Sequence, residues 1–139
     1  MKKNINLIVT VITLMCLLGF CKKEDKDAEV VSQTTQKLLG KWMFLNSSFN
    51  EHHSDADHVK ITQGQQGDNI DFVSGGKAIV RLLGASDTSK YAVTKENKLV
   101  FDDVDIFDIK TLSESELIFY RKVVYSSANY SEETYTLKK

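Results

Sequence analysis

From Lys41 to its end the chain is written in short alternating runs rich in β-branched and aromatic residues, broken roughly every 8 to 12 residues by polar or Gly-containing turns. This period-two pattern specifies an all-β domain. Strands are expected at about 41–49, 58–63, 69–74, 77–83, 89–94, 98–102, 105–111, 116–125 and 130–138. Between them, Gly64 to Gly67, Ser74-Gly75-Gly76, Gly84 to Asp87, Lys95-Glu96-Asn97, Ser113 to Glu116 and Ser126 to Asn129 supply residues that tolerate tight or left-handed backbone. Consecutive short hairpins imply an antiparallel up-and-down meander. Eight or nine such strands avoid exposed edges most simply by closing into a small barrel.

Alternation also assigns faces. Trp42 with Phe44, Ile70 with Phe72, Leu99 with Phe101, Phe107 with Ile109, Leu117 with Phe119 and Tyr135 with Leu137 are expected to point inward. Parity fails at Asp103 and Asp105, which would share a face with Phe101 and Phe107, so a turn or bulge is expected across Asp102 to Asp105. The acids Asp102, Asp103, Asp105 and Asp108 lack the spacing and central Gly of a calcium loop and read as a solvated turn.

The segment ahead of the strands has two parts. Ala28 to Leu39 carries Val30, Val31, Thr34, Leu38 and Leu39 near helical spacing, with Gly40 at the C-cap position, and a short N-terminal helix is expected there. Further upstream, Lys2 and Lys3 precede an apolar run from Ile5 to Phe20, which is short for a membrane span and reads as a secretory signal over residues 1–20. Leu18-Gly19-Phe20-Cys21 resembles a bacterial lipoprotein signal, in which cleavage before the cysteine leaves its thiol to be acylated. The other reading is an ordinary secretory signal with an incidental cysteine. Because Cys16 would leave with the signal, Cys21 would be the single remaining thiol and no internal disulfide could form. Residues 21–35 then form a lipid-anchored polar linker, and the Lys22 to Asp27 charge run resembles the short signals that send some lipoproteins to the cell surface, the other reading being a solvated spacer. The expected location is the bacterial cell envelope, on the outer membrane, with the lipid (a palmitate-type acyl chain) as the membrane contact.

Charge and motifs narrow the function. A net charge of −1 gives no bulk case for nucleic acid as a partner. There is no P-loop, dinucleotide fingerprint, paired-cysteine zinc site or Gly-x-Ser-x-Gly elbow, so no cofactor and no catalytic residue are assigned and enzyme activity is not expected. All three histidines lie in Glu51-His52-His53-Ser54-Asp55-Ala56-Asp57-His58. On a continuous strand, Glu51, His53, Asp55 and Asp57 would share one side and His52 and His58 the other. That split favours a polar loop over a metal centre, and no metal is assigned.

Leu38-Leu39-Gly40-Lys41-Trp42 resembles the Gly-x-Trp opening of the lipocalin superfamily, and in particular the small lipocalin-like lipoproteins of the Bacteroidota. Asp71 to Lys77 and the Phe107 to Ser113 and Glu116 to Phe119 segments are similar to the mid-domain and late hairpins of such proteins, so the resemblance covers about residues 36–139. It implies a lipocalin-like barrel, closed at one end by Gly40 and Trp42, with Arg121 stacked on the tryptophan. The plainer alternative is a bulge that turns Arg121 to solvent. Phe44, Phe72, Phe101, Phe107, Phe119 and Tyr135 are the expected ligand-facing residues if the interior is open to a small apolar molecule. With strands this short, the alternative is a filled barrel that serves the envelope through its outer surface.

Overall fold

A computed structural model of the chain describes residues 23–139. The signal and the Cys21 acylation site expected at the N-terminus lie outside them. Helix α1 (Lys23–Leu38) leads into nine strands, β1 (Gly40–His52), β2 (Asp57–Gln63), β3 (Asn69–Val73), β4 (Lys77–Leu82), β5 (Ala85–Val93), β6 (Lys98–Phe101), β7 (Asp105–Leu112), β8 (Glu116–Val124) and β9 (Tyr130–Lys138). Among the described residues no helix is long and apolar enough to cross a membrane.

The strands form one antiparallel sheet in the order β2-β1-β3-β4-β5-β6-β7-β8-β9, closed by pairing of β1 with β9. Eight strands make the ring and β2 stands outside it. The arrangement depends on how β1 uses its two edges. One edge pairs with β9 from Met43 to His52, while the other pairs first with β3 over Gly40–Met43 and then with β2 over Asn46–His52. The handover falls at a bulge, where the register against β9 shifts between Phe44 and Asn46. There Gly64 donates its N–H to the Leu45 carbonyl at 2.7 Å, and a Cβ on Gly64 would lie 2.1 Å from the Phe44 carbonyl oxygen. Glycine is required here for backbone-to-backbone approach.

α1 starts five residues earlier than the periodicity suggests and so takes in most of the stretch read as a linker. Its last turn is docked on the barrel. Leu38 is fully buried, the Trp42 indole N–H donates to the Leu38 carbonyl at 2.7 Å, and Gly40 turns the chain into β1 at φ +105°. The Lys139 ammonium donates to the Lys37 carbonyl at 3.1 Å and lies 4.5 Å from the Trp42 ring centroid. The indole and ammonium hydrogen bonds serve the Leu38 and Lys37 carbonyls, which a helix C-terminus leaves without intrahelical partners, and the cation sits at the negative end of the helix dipole.

The expected inward set forms the core. Trp42, Phe44, Ile70, Phe72, Leu99, Phe107, Ile109, Leu117, Phe119 and Leu137 are buried, with Phe101 and Tyr135 packed against them. β5 begins at Ala85 rather than near 89, because the β4–β5 hairpin turns on only Leu83 (φ +53°) and Gly84 (φ +80°). The break foreseen at Asp102 to Asp105 is a turn in which Asp102 and Asp103 both have positive φ. Gly64→Ala is expected to lower the denaturation midpoint by about 1–3 kcal/mol equivalent, the cost of forcing an extra methyl into a packed site. An unchanged midpoint in chemical denaturation would mean that β2 leaves β1 without this close crossing.

Candidate functional site

The interior is filled at one end and hollow at the other. Leu117, Leu137 and Phe44 lie in one cross-strand row, with Trp42 one inward position below it and Arg121 two inward positions above. At about 3.4 Å per residue this separates Trp42 from Arg121 by roughly 20 Å along the strands. The expected stacking of Arg121 on Trp42 is therefore corrected: the cation over Trp42 is Lys139, and Arg121 stands at the opposite end of the barrel. No bulge turns Arg121 outward either. It keeps its inward parity opposite Glu133, and its side chain is only 26% exposed.

Above the filled layers lies a cavity of about 210 Å³. Its wall includes Phe101, Phe107, Phe119 and Tyr135, while Phe44 and Phe72, also expected to face a ligand, pack below it in the core. The four wall rings touch in sequence. Phe101 meets Phe107 edge-on at 6.1 Å, Phe107 meets Phe119 edge-on at 5.1 Å, and Phe119 stacks on Tyr135 at 5.0 Å. Edge and offset-face contacts of this kind favour these relative ring orientations. Val80, Leu82 and Ser89 complete the far side, and Asp102, Asp105 and Arg121 make the rim. Two concavities of about 310 Å³ are larger, but turn residues and outward side chains such as Lys77 and Lys90 line them, with Tyr91 their single aromatic residue.

Arg121 anchors the rim. Its Nε donates to Glu133 at 2.8 Å, its Nη1 is hydrogen-bonded to Asp105, and the guanidinium lies 4.9 Å from the Phe107 ring centroid. Burial works against its charge, but the hydrogen bonds to Glu133 and Asp105 prevail and hold its pKa above the ordinary value. Burial, followed by the Glu133 charge, raises the Tyr135 phenol above its ordinary 10.0.

The other candidate clusters do not converge. A hairpin, not a continuous strand, carries the histidines, so Glu51 faces His58 across β1 and β2, and His52 faces Asp57. This corrects the side assignment made from alternation. His52 Nδ1 lies 2.9 Å from Asp57 and its ring stacks on Tyr130 at 4.1 Å, on the outward face. Among the described residues no group of three or more His, Cys, Asp or Glu is placed to hold a metal ion. The four acids of 102–108 also separate: Asp108 pairs outward with Lys98 at 2.7 Å, Asp105 turns inward to Arg121, and Asp102 accepts the Lys90 N–H at 2.8 Å.

Sequence reasoning missed Glu133 and the rim role of Asp105. A signal was present, since Leu117 with Leu137, Phe119 with Tyr135 and Arg121 with Glu133 are all equidistant from the β8–β9 turn. Registering that hairpin places the acid opposite the arginine.

The raised Tyr135 pKa sets an alkaline limit on stability. Well below pH 10 the phenol is neutral in both folded and unfolded chains. Above it the unfolded chain ionises first, and stability is lost as pH rises toward the folded pKa. Tyr135→Phe should therefore gain stability relative to wild type above pH 10 while the difference stays constant from about pH 7 to 9. Chemical denaturation across that range measures it, and parallel curves would place the hydroxyl in water.

No family model, curated protein or solved structure matches the chain, so the geometry of the barrel and its mouth stands as the basis for a functional reading.

Proposed function

We propose that this chain is an exported, lipid-anchored, lipocalin-like protein that holds a small, mainly apolar ligand in the mouth of its barrel. The observation that carries the reading is the aromatic cavity of about 210 Å³ between Phe101, Phe107, Phe119 and Tyr135. Its size supports a ligand of one ring with a short substituent, because dry apolar cavities of about 150 Å³ already accept benzene. Its lining of apolar side chains with a few polar groups at one end is the usual composition of small-molecule sites. On this reading the protein binds and does not turn over its ligand. Acylation at Cys21 would tether it to the cell envelope, at the outer membrane.

A second reading has one observation in its favour. Leu38, Trp42, Phe72, Leu99, Leu117 and Leu137 fill the helix-proximal half of the barrel almost completely. If the mouth also stays empty of ligand, the barrel is a scaffold that acts through its outer surface.

Ethylbenzene titrated into the purified protein by calorimetry distinguishes the two. Saturable one-to-one binding, reduced at least about tenfold by Phe119→Trp with the fold retained by circular dichroism, supports the mouth site, since lost cavity volume removes the ligand's apolar burial. Binding that Phe119→Trp leaves unchanged would move the site elsewhere, and no saturable binding would favour the scaffold reading. The anchor is tested separately. Radiolabelled fatty acid should enter the wild-type chain and not Cys21→Ser, which should also leave the membrane fraction, whereas equal labelling of both would remove Cys21 from the proposal.

A further inference from the structure

We infer that the barrel mouth selects ligands bearing a positive charge: a primary amine or similar monocation on a small apolar body. The inference rests on the mouth cavity being the binding site, and it names the class of ligand that the rim would accept.

The argument starts from charge at the rim. Arg121 supplies one positive charge; Asp102 and Asp105 line the cavity with it, and Glu133, bonded to Arg121, brings the negative charges to three. Arg121 is also committed. Nε is bonded to Glu133, Nη1 to Asp105, and one face of the guanidinium is covered by Phe107. An anionic head entering the mouth would have to displace a carboxylate from Arg121 or sit beside three of them. A cation meets carboxylates whose charge the single arginine does not balance. The Asp105 side chain is 50% exposed, so oxygen lone pairs not used by Arg121 face the entrance, and Asp102 is held at the rim by the Lys90 N–H.

Other cations are poorly placed to compensate. Lys60 shares the cross-strand row Lys60–Phe49–Glu133–Arg121 but lies three strands from Arg121. At about 4.8 Å per strand that is roughly 14 Å, beyond the screening length of about 8 Å at physiological ionic strength. Lys90 alternates outward between the inward-facing Ser89 and Tyr91, beside Lys77 on the outer surface. Within the mouth, Phe101 and Tyr135, the less buried of the wall rings, add aromatic surface that attracts a cation that has left part of its water behind. Ser89 adds a hydroxyl acceptor for an ammonium hydrogen.

Three probes with one ring and different heads separate charge selection from cavity binding: phenethylamine, ethylbenzene and phenylacetate, titrated into the full-length protein at pH 7 by calorimetry. Phenethylamine should bind at least about tenfold more tightly than phenylacetate, with ethylbenzene between them. Raising salt should narrow that ratio while leaving ethylbenzene unchanged. Asp105→Asn and, as a second variant farther from Arg121, Asp102→Asn should each shrink the amine-over-acid preference, and ethylbenzene affinity reports whether the cavity is intact in each. Ethylbenzene binding as tightly as the amine, or phenylacetate binding more tightly, would overturn charge selection while leaving the mouth site standing. Saturable binding of none of the three would remove the mouth site itself, and this inference with it.

Discussion

The barrel closes because β1 is long enough to serve three neighbours. Its thirteen residues give one edge to β9 and divide the other between β3 and β2. Eight strands make a ring only because the first four residues of β1 are left free for β3. The Leu45 bulge bends β1 at the handover, and Gly64 lets β2 depart without a side chain in the way. A uniform hairpin of β1 with β2 along its whole length would block β3 and leave an open sheet. Above the handover, β2, β1, β9 and β8 continue past the mouth as a four-stranded wall, fastened on its outer face by Glu132, which accepts the Tyr120 hydroxyl at 2.7 Å and pairs with Lys122 at 3.5 Å. The Tyr120 hydrogen bond comes first in holding the Glu132 carboxyl below its ordinary pKa, so this clasp is charged at neutral pH.

Much of this was legible because alternation and turn chemistry are local properties. Each inward pair from Trp42–Phe44 to Tyr135–Leu137 follows from parity within one strand, and the Asp102 to Asp105 turn follows from where parity breaks. What could not be read depends on distant partners. β5 starts ahead of its expected position because Leu83, an ordinary strand residue by type, adopts a left-handed turn conformation. The sides of the histidine cluster are set by the pairing of β1 with β2, which alternation along one strand does not encode. The helix extends to Lys23 over a strongly polar stretch whose helical signal is not an apolar stripe.

Arg121 carries the same lesson at the candidate site. Its inward parity was visible, and a charged side chain among Leu117, Phe119 and Val123 does need a partner. Trp42 was the nearest precedent by resemblance, but the height of each residue along the barrel depends on register across β1, β9 and β8 together. Glu133 and Asp105 are the partners, and they make the arginine tolerable by keeping its charge hydrogen-bonded at a half-wet rim. Trp42 is covered instead by Lys139, so the last strand returns to the last turn of α1 at the closed end of the barrel.

The staves of the barrel are not equally joined. β1 and β9, and β8 and β9, each share nine paired positions, β1 and β3, β6 and β7, and β7 and β8 share four each, and β5 and β6 share the fewest, three, Tyr91–Val93 with Leu99–Phe101. Local opening costs least where the fewest backbone hydrogen bonds must break together, so the β5–β6 seam is the barrel's natural parting line. Ser89 and Phe101, which wall the cavity, belong to the two strands that flank this seam. Opening along this seam would part Ser89 from Phe101 and widen the cavity sideways, with the Thr94–Lys98 and Asp102–Lys90 backbone hydrogen bonds as the clasps at its two ends.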